Sequence, residues 1–131
     1  MKKDKPYNNG TWTPARFRSF IMSILRSGSN KWGPKWIARK AAWRKRGVYE
    51  CAGYKIKPHL IPASIKKGKK RINNVTLDHV VPVIGPAGFI SWDQVIERLF
   101  IESGGYQVLC LKCHTHKSND EKEARKKNGR G

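Results

Sequence analysis

Two short segments of this chain carry side chains suited to metal binding and acid–base chemistry. Residues 77–82 read Leu-Asp-His-Val-Val-Pro, and residues 107–118 contain the pattern Cys-x-x-Cys-His-x-x-Lys. Asp78, His79 and His114 supply a carboxylate and two imidazoles, which can bind a divalent cation and accept a proton near neutral pH. The chain has a net charge of +19. We therefore expect a metal-assisted reaction on a polyanionic substrate.

The positive charge is concentrated in the first half of the chain. Residues 1–71 carry a net charge of +18, and residues 72–131 carry +1. Such asymmetry favours a nucleic acid partner, and less often an anionic membrane surface. No apolar run reaches the roughly 18 residues of a membrane span, and no membrane partner is expected. The first residues also lead into no apolar segment of a secretory signal.

The basic residues fall into two groups that could neutralise phosphates, one on a predicted helix and one in a Lys-rich run. For the run, a solvated loop is an open alternative. The candidate phosphate contacts are Arg39, Lys40, Arg44, Lys45, Arg46, Lys66, Lys67, Lys69, Lys70 and Arg71.

Two helices are predicted in the first half. The first begins after Thr13, with Pro14 at its first position, and ends at Gly28. The second covers residues 34–46. Each has an apolar stripe that we expect to be buried. The stripes consist of Phe17, Phe20, Ile21, Ile24 and Leu25 in the first helix, and of Trp36, Ile37 and Trp43 in the second.

The second half alternates short strands and helices. Ser91, with Gln94 three residues later, has the pattern of a helix N-cap. An α+β fold in one domain is therefore predicted, with a basic helical region at 13–47 and a catalytic core at 48–127. Residues 1–12 and 128–131 are expected to be disordered. The predicted elements are strands at 48–51, 74–81 and 107–109, a loop or loose hairpin at 55–71, and helices from Ser91 and over 113–126.

The two chemical segments together resemble the HNH endonuclease family. The resemblance rests on Asp78-His79 with Pro82, and on Leu-Cys-x-x-Cys-His-x-x-Lys at 109–117; softer matches extend it over residues 15–120. It implies a ββα-metal core, here with added N-terminal helices and one helix inserted between the two halves of the motif. It also implies hydrolysis of DNA phosphodiester bonds, by nicking or double-strand cleavage. The resemblance is to small bacteriophage-encoded nucleases, so the protein is expected to act in the bacterial cytoplasm. Whether it is a monomer or a homodimer is left open.

The resemblance also implies roles for individual side chains. His79 would be the general base that activates water, and Asp78 and His114 would bind the catalytic cation, which is Mg²⁺ or Mn²⁺ and in some relatives Zn²⁺ or Ni²⁺. Lys117 would contact a phosphate, with a solvated lysine as the equal alternative. His116 lies about 200° from His114 on a regular helix and is expected to be exposed.

One position departs from the family pattern. The family's middle Asn, which braces the loop by hydrogen bonds, corresponds to Gly105 in this chain. Gln107 or Asp93 is expected to take over this bracing role, and the residues do not decide between the two.

The cysteines suggest a second metal. Three cysteines, two of them in a Cys-x-x-Cys pair, favour metal ligation over disulfides. Many HNH proteins hold a structural Zn²⁺ with two such pairs, but position 54 is Tyr here. His59 would then complete a set with Cys51, Cys110 and Cys113. The alternative is three small buried cysteines without a metal.

Two other functions remain open. A non-catalytic, zinc-stabilised DNA-binding module fits the same charge and cysteines. An RNA-binding accessory protein is favoured by charge alone, since no common RNA-binding module is recognisable.

Overall fold

The structure is a computed structural model that describes residues 4–129. The expected disorder of residues 1–3 and 130–131 lies outside the described residues. The chain divides into two compact units, one ending at Trp32 and the other beginning at Gly33. Each unit is described by itself. Within residues 4–129, no helix has the length and apolar character needed to cross a membrane.

The first unit contains an N-terminal turn and helix α1. Helix α1 covers Pro14–Ser29, and the Thr13 hydroxyl accepts a hydrogen bond from the Arg16 N–H at 3.2 Å. Both the predicted cap and the predicted proline position are confirmed. Residues 7–12, expected to be disordered, form a turn that two backbone hydrogen bonds between Tyr7 and Trp12 close.

Aromatic contacts hold this turn against α1. The Tyr7 ring stacks on Phe17 with centroids 4.2 Å apart, and Trp12 packs edge-on against Phe20 at 5.0 Å. The prediction of a fully buried stripe is wrong, because Phe20 and Ile24 are 46% and 53% exposed. One helix and one turn provide too little surface to cover the whole stripe.

The second unit begins with helix α2 (Gly33–Ala41) and strand β1 (Trp43–Lys45). The prediction that the helix continues to residue 46 is wrong. The Glu50 N–H donates to the Ala42 carbonyl at 2.8 Å, and a turn at Gly47, with φ of +77°, returns the chain as a hairpin. Trp43 lies seven residues after Trp36, which satisfies helical spacing, so the local pattern did not reveal the change.

Seven short antiparallel strands make up three sheets in the described residues. The strands after β1 are β2 (Val48–Cys51), β3 (His59–Pro62), β4 (Ser64–Lys67), β5 (Lys70–Asn73), β6 (Thr76–His79) and β7 (Tyr106–Leu109). The β1–β2–β3 sheet, the β4–β5 hairpin and the β6–β7 hairpin are each antiparallel. Predicted strands near 48–51, 74–81 and 107–109 are confirmed. Of the loop or loose hairpin predicted at 55–71, the hairpin is confirmed as β4–β5, and β3 is a strand that was not predicted.

Two further helices flank the β6–β7 hairpin. Helix α3 covers Trp92–Leu99 and is capped by Ser91, whose hydroxyl accepts from the Gln94 N–H at 3.1 Å. Helix α4 covers Leu111–Gly129, so the expected disorder at residue 128 is replaced by the end of a helix. The fold is therefore α+β, as predicted, with a β-hairpin leading into a helix.

The core lies where the β2–β3 strands, the β6–β7 hairpin and the start of α4 meet. Asn74, 5% exposed, joins these elements: its amide donates to the Pro62 carbonyl, and its oxygen accepts from the Leu111 N–H, both at 3.0 Å. The second bond satisfies one of the unpaired N–H groups at the start of α4. The buried core residues are Cys51, Ile61, Val75, Val108, Leu109, Cys110 and Cys113.

Candidate metal centre and catalytic residues

Asp78 and His79 occupy the end of strand β6, opposite Gln107 and Tyr106 of strand β7. Cross-strand partners share a face of the hairpin, and successive residues on one strand face opposite sides. Accordingly Asp78 contacts Gln107 and helix α4, whereas the His79 ring contacts Tyr106 and the end of α3. The hairpin thus gives each member of the pair its own supporting helix.

A carbonyl oxygen orients the His79 ring. Nε2 of His79 lies 3.1 Å from the Leu99 oxygen, which also accepts the Tyr106 hydroxyl at 2.9 Å. Because a carbonyl only accepts, Nε2 carries the proton of the neutral ring and Nδ1 has the lone pair. The Tyr106 ring lies edge-on to His79 at 4.9 Å, and burial raises the pKa of the Tyr106 phenol.

The Asp78 carboxylate is held by an ion pair with Lys117. Lys117 Nζ lies 2.6 Å from Asp78 Oδ2, 2.7 Å from the His79 carbonyl oxygen and 3.2 Å from a Glu121 oxygen. Gln107 Nε2 donates to the same Asp78 oxygen at 2.9 Å. Lys117 is 8% exposed, so the alternative of a solvated lysine is wrong. Its ammonium holds helix α4 against the end of β6.

His114 lies one turn before Lys117 on α4 and is partly buried. Residues three apart on a helix share a face, so His114 belongs to the face that meets β6. Among residues 4–129, the His114 imidazole has no side-chain hydrogen bond or ion pair. A carboxylate oxygen and an imidazole are both ligand types that a catalytic divalent cation accepts.

At Gly105, which corresponds to the Asn of the HNH pattern, the surrounding contacts leave no room for a larger side chain. The Gly105 carbonyl accepts from the Val80 N–H at 3.0 Å, and a Cβ at Gly105 would lie 2.5 Å from Ile101 Cδ1. Of the two expected substitutes, Gln107 contacts Asp78, whereas Asp93 is exposed on the first turn of α3. The brace on His79 comes from the Leu99 carbonyl, which sequence patterns do not reveal.

Four side chains form a compact metal-binding set, namely Cys51, His59, Cys110 and Cys113. Their ligand atoms all lie within 4.8 Å of one another. In the described part of the chain, this is the one group of three or more Cys, His, Asp or Glu ligands close enough for a single ion. Asp78, His79 and His114 do not form such a group.

Local structure explains how these four ligands meet. Cys51 and His59 are cross-strand partners on β2 and β3, while Cys110 directly follows β7 and Cys113 is in the first turn of α4. Cys110 Sγ lies 3.8 Å from His59 Nε2. Ligand bonds of roughly 2.0–2.3 Å in a tetrahedral zinc site place neighbouring ligand atoms at about this separation.

Hydrogen bonds with backbone groups hold His59 and Cys51 in positions suited to binding a cation. The His59 Nδ1 lies 3.1 Å from the Lys57 carbonyl, which directs Nε2 to the sulfur atoms. That hydrogen bond, and then the one with Cys110, raises the pKa of His59. Backbone N–H groups of Gly53 and Cys110 each donate to Cys51 Sγ at 3.3 Å.

Cys51 and Cys110 differ in acidity. Burial raises the pKa of Cys51 to about 11. Burial also acts to raise the pKa of Cys110, but hydrogen bonds from the Cys113 backbone and from His59, Cys113 and Cys51 lower it to about 7. A bound dication would favour the thiolate form at every sulfur ligand.

Gly53 makes the turn after Cys51 possible. Its φ is +82°, and an added Cβ would lie 2.3 Å from the Ile56 carbonyl oxygen and 2.8 Å from the Lys57 carbonyl oxygen. Only glycine fits this turn without strain. The turn presents both the Gly53 N–H to Cys51 and the Lys57 carbonyl to His59.

His116 is exposed, as predicted, with 56% of its side chain accessible. Its ring lies edge-on to Tyr54 at 5.2 Å, on the outer side of α4. Asp120 joins this cluster by accepting from the Tyr54 hydroxyl at 2.7 Å and pairing with Lys55 at 2.9 Å. Hydrogen bonds from Lys55 and Tyr54 lower the pKa of Asp120.

The basic residues expected to contact phosphate are exposed, but they lie on different structures. Arg39 and Lys40 belong to α2, while residues 66–71 form the β4–β5 hairpin, in which Lys66 is opposite Arg71. Like charges directly opposite one another are destabilising unless an anion screens them. Arg44 instead donates to the Ala41 carbonyl and pairs with Glu50.

Comparisons of the chain with protein-family models, with curated proteins and with solved structures found no match. The likeness to the HNH family therefore rests on the residues of this chain.

Proposed function

We propose that this protein is a metal-dependent HNH endonuclease that hydrolyses phosphodiester bonds of DNA. The observation that carries the proposal is the junction of β6 and α4. There, the buried Lys117 is bonded to Asp78 and to the His79 carbonyl, and it brings the His114 face of α4 to the Asp-His pair. A hairpin followed by a helix is the arrangement that a ββα-metal core requires.

Each residue has a task that its contacts support. The hydrogen bond to Leu99 keeps the proton on His79 Nε2, so that Nδ1 is the atom that takes the proton from water. Asp78 and His114 would hold the divalent cation, Mg²⁺ or Mn²⁺. When bound, it would supply charge stabilisation for the phosphate and for the leaving 3′-oxygen.

Gln107 and Lys117 position the Asp78 carboxylate. Both donate to the same oxygen, Oδ2. In the described residues, Oδ1 accepts no hydrogen bond from the protein and is the oxygen through which Asp78 would reach a cation. The products would be a 5′-phosphate and a 3′-hydroxyl, as in the family.

We further propose a structural Zn²⁺ at Cys51, His59, Cys110 and Cys113. Cys110 and Cys113 flank the start of α4, immediately before His114. The ion would therefore fix the helix that carries a catalytic ligand, while the catalytic cation would be a separate one.

Cleavage of supercoiled plasmid DNA tests the proposal. The protein, loaded with zinc, is incubated with Mg²⁺, with Mn²⁺ or with no added divalent ion, and nicked and linear products are separated. We expect cleavage only with the added ion. His79→Ala should lower the rate by about 10²–10⁴-fold, the usual contribution of a general base, and Mn²⁺ should not restore it.

His116→Ala is the matched control, because His116 is an exposed histidine of the same helix. It should cleave like the unmodified protein. Asp78→Ala and His114→Ala should lose activity through cation affinity and regain part of it at high Mn²⁺. Cleavage by His79→Ala at the normal rate would remove His79 from the mechanism.

The second candidate is a non-catalytic, zinc-stabilised DNA-binding module. The specific observation in its favour is that the cysteine–histidine set forms a complete four-ligand cluster, whereas Asp78 and His114 do not belong to one. Zinc-loaded protein that binds plasmid DNA but cleaves it under none of these conditions would establish this function instead.

A further inference from the structure

An exposed cleft on the second unit combines aromatic rings with cations. Its volume is about 580 Å³, and it is lined by Trp36, Arg39, Lys40, Trp43 and Tyr49. Volumes of about 300–1,000 Å³ are usual for ligand clefts. No carboxylate lines it, and the neighbouring Glu50 is paired with Arg44. The cleft is therefore suited to an anion that also carries flat apolar surface.

The two tryptophan rings that line this cleft are exposed to solvent. The prediction that Trp36, Trp43 and the adjacent Ile37 are buried is wrong, because they are 64%, 51% and 52% exposed. A contiguous group of large exposed apolar side chains commonly marks an interaction surface. These rings lie outside the core of the unit, in which Leu109 and Cys51 are fully buried.

A cation lies over two of the three aromatic rings of the cleft, those of Trp36 and Tyr49. Trp36, Arg39 and Lys40 share one face of α2, since they are three and four residues apart. Lys40 Nζ lies over the Trp36 ring at 5.0 Å, and the Arg39 guanidinium lies over Tyr49 at 5.5 Å. Trp43 and Tyr49 are cross-strand partners on β1 and β2, so they belong to one rigid hairpin.

We propose that this cleft binds unpaired DNA, with bases stacking on Trp36 and Trp43 and phosphates held by Arg39 and Lys40. An aromatic ring accepts any base with a free face, whereas bases within a duplex are already stacked on both sides. The cleft would therefore prefer single-stranded segments, such as gaps, flaps or melted sites, over intact duplex. This inference rests on DNA as the partner in the proposed function, and it does not depend on catalysis.

Fluorescence anisotropy of labelled oligonucleotides tests the preference. A 12-nucleotide thymidine strand and a 12-base-pair duplex are titrated with zinc-loaded protein that carries His79→Ala and receives no Mg²⁺, so that cleavage plays no part. We expect Trp36→Ala and Trp43→Ala each to weaken single-strand binding by about 5- to 150-fold, the contribution of one stacked base. Duplex binding should change by less than about threefold.

Further variants distinguish the loss of base stacking from the loss of charge and from a general loss of folding. Trp36→Phe keeps a ring and should retain most of the affinity, while Leu60→Ala removes an equally exposed apolar side chain, 62% accessible, outside the cleft and should have no effect. Lys40→Ala should lower the slope of log K against log salt by about 0.7 for a single strand. Trp36→Ala should leave that slope unchanged.

Three outcomes would overturn the proposal. One is unchanged single-strand affinity in a folded Trp36→Ala, Trp43→Ala double variant, and another is an equal loss for single strand and duplex. The third is a dimer in sedimentation that Trp36→Ala dissociates, because the cleft would then be an interface between two copies. A protein that cleaves no plasmid can still show the predicted single-strand preference, so failure of the nuclease proposal is distinguishable from failure of this one.

Discussion

Replacing Lys117 by Met should destabilise the protein far more than the loss of an ordinary ion pair. The Asp78 and Lys117 side chains are 12% and 10% exposed, and Nζ lies 2.6 Å from the carboxylate. Removing one partner of a buried pair leaves an uncompensated charge and typically costs about 3–5 kcal/mol. In this chain Gln107 would be the remaining donor to Asp78 Oδ2.

A surface pair on the same helix provides the comparison. Lys126 and Glu123 are 3.9 Å apart, with both side chains 66% exposed. Exposed pairs of this kind contribute about 0–1 kcal/mol. Glu123→Gln should therefore be nearly neutral, and the difference between the two variants isolates the effect of burial.

Urea denaturation of the zinc-loaded protein, followed by circular dichroism, measures these free energies of unfolding. Since small domains are stable by about 5–15 kcal/mol, Lys117→Met should remain folded at low temperature but shift the midpoint substantially. Lys117→Arg keeps the charge and should recover part of the loss. If Lys117→Met does not fold, the free energy of unfolding of Lys117→Arg tests the prediction instead.

A double-mutant cycle tests the assignment to Asp78. Asn at position 78 is neutral and needs no counter-ion, so Asp78→Asn with Lys117→Met should cost less than the two single changes together. Coupling between contacting residues is commonly about 0.5–3 kcal/mol. A loss below about 1 kcal/mol for Lys117→Met, or purely additive losses, would refute the view that this pair fastens α4 to the hairpin.

The remaining predictions concern zinc and DNA. Purified protein should contain about one equivalent of zinc that survives dialysis, and chelation should lower the melting temperature because the site forms only on folding. Cys110→Ser should also lower the melting temperature, and it should reduce cleavage. A protein that keeps its full stability without zinc would contradict the zinc site. Gly53→Ala should lower the free energy of unfolding by about 1–3 kcal/mol and weaken zinc retention. Gly68 also has a positive φ, of +64°, but has open space around it, so Gly68→Ala should lower the stability without affecting zinc. DNA affinity should fall by about 10³–10⁵ between 50 and 200 mM salt if six to ten phosphates are neutralised. Reversing Arg39 and Lys40 to Glu should reduce both the affinity and the salt slope, and an unchanged slope would exclude α2 as a contact.

Elements with local signals could be predicted from the sequence. Thr13 with Pro14, and Ser91 with Gln94, mark helix starts through contacts within four residues, and the structure confirms both. The set of Cys51, His59, Cys110 and Cys113 was proposed from the HNH resemblance, with three buried cysteines as the alternative. The structure places the four side chains together.

Elements decided by distant partners were not predicted correctly. The chain leaves the helical path after Ala41 because Ala42 pairs with Glu50, and nothing within residues 34–46 encodes that pairing. The burial of Lys117 likewise depends on Asp78, which precedes it by 39 positions. Without knowledge of this partner, a lysine on a polar helix is predicted to be exposed to solvent.

Under the proposed function, the bracing role of the HNH Asn, whose position is Gly105 here, would be divided between two contacts. Its position is occupied by a backbone contact from Gly105 to Val80, in a space that Ile101 partly fills. The orientation of His79 comes instead from the Leu99 carbonyl at the end of α3, and that of Asp78 from Gln107. Because the Leu99 carbonyl also accepts the Tyr106 hydroxyl, the inserted helix and the hairpin hold the His79 ring together. Under the proposed function, these hydrogen bonds from separate elements would take the place of the Asn side-chain amide, as long as α3 stays in place.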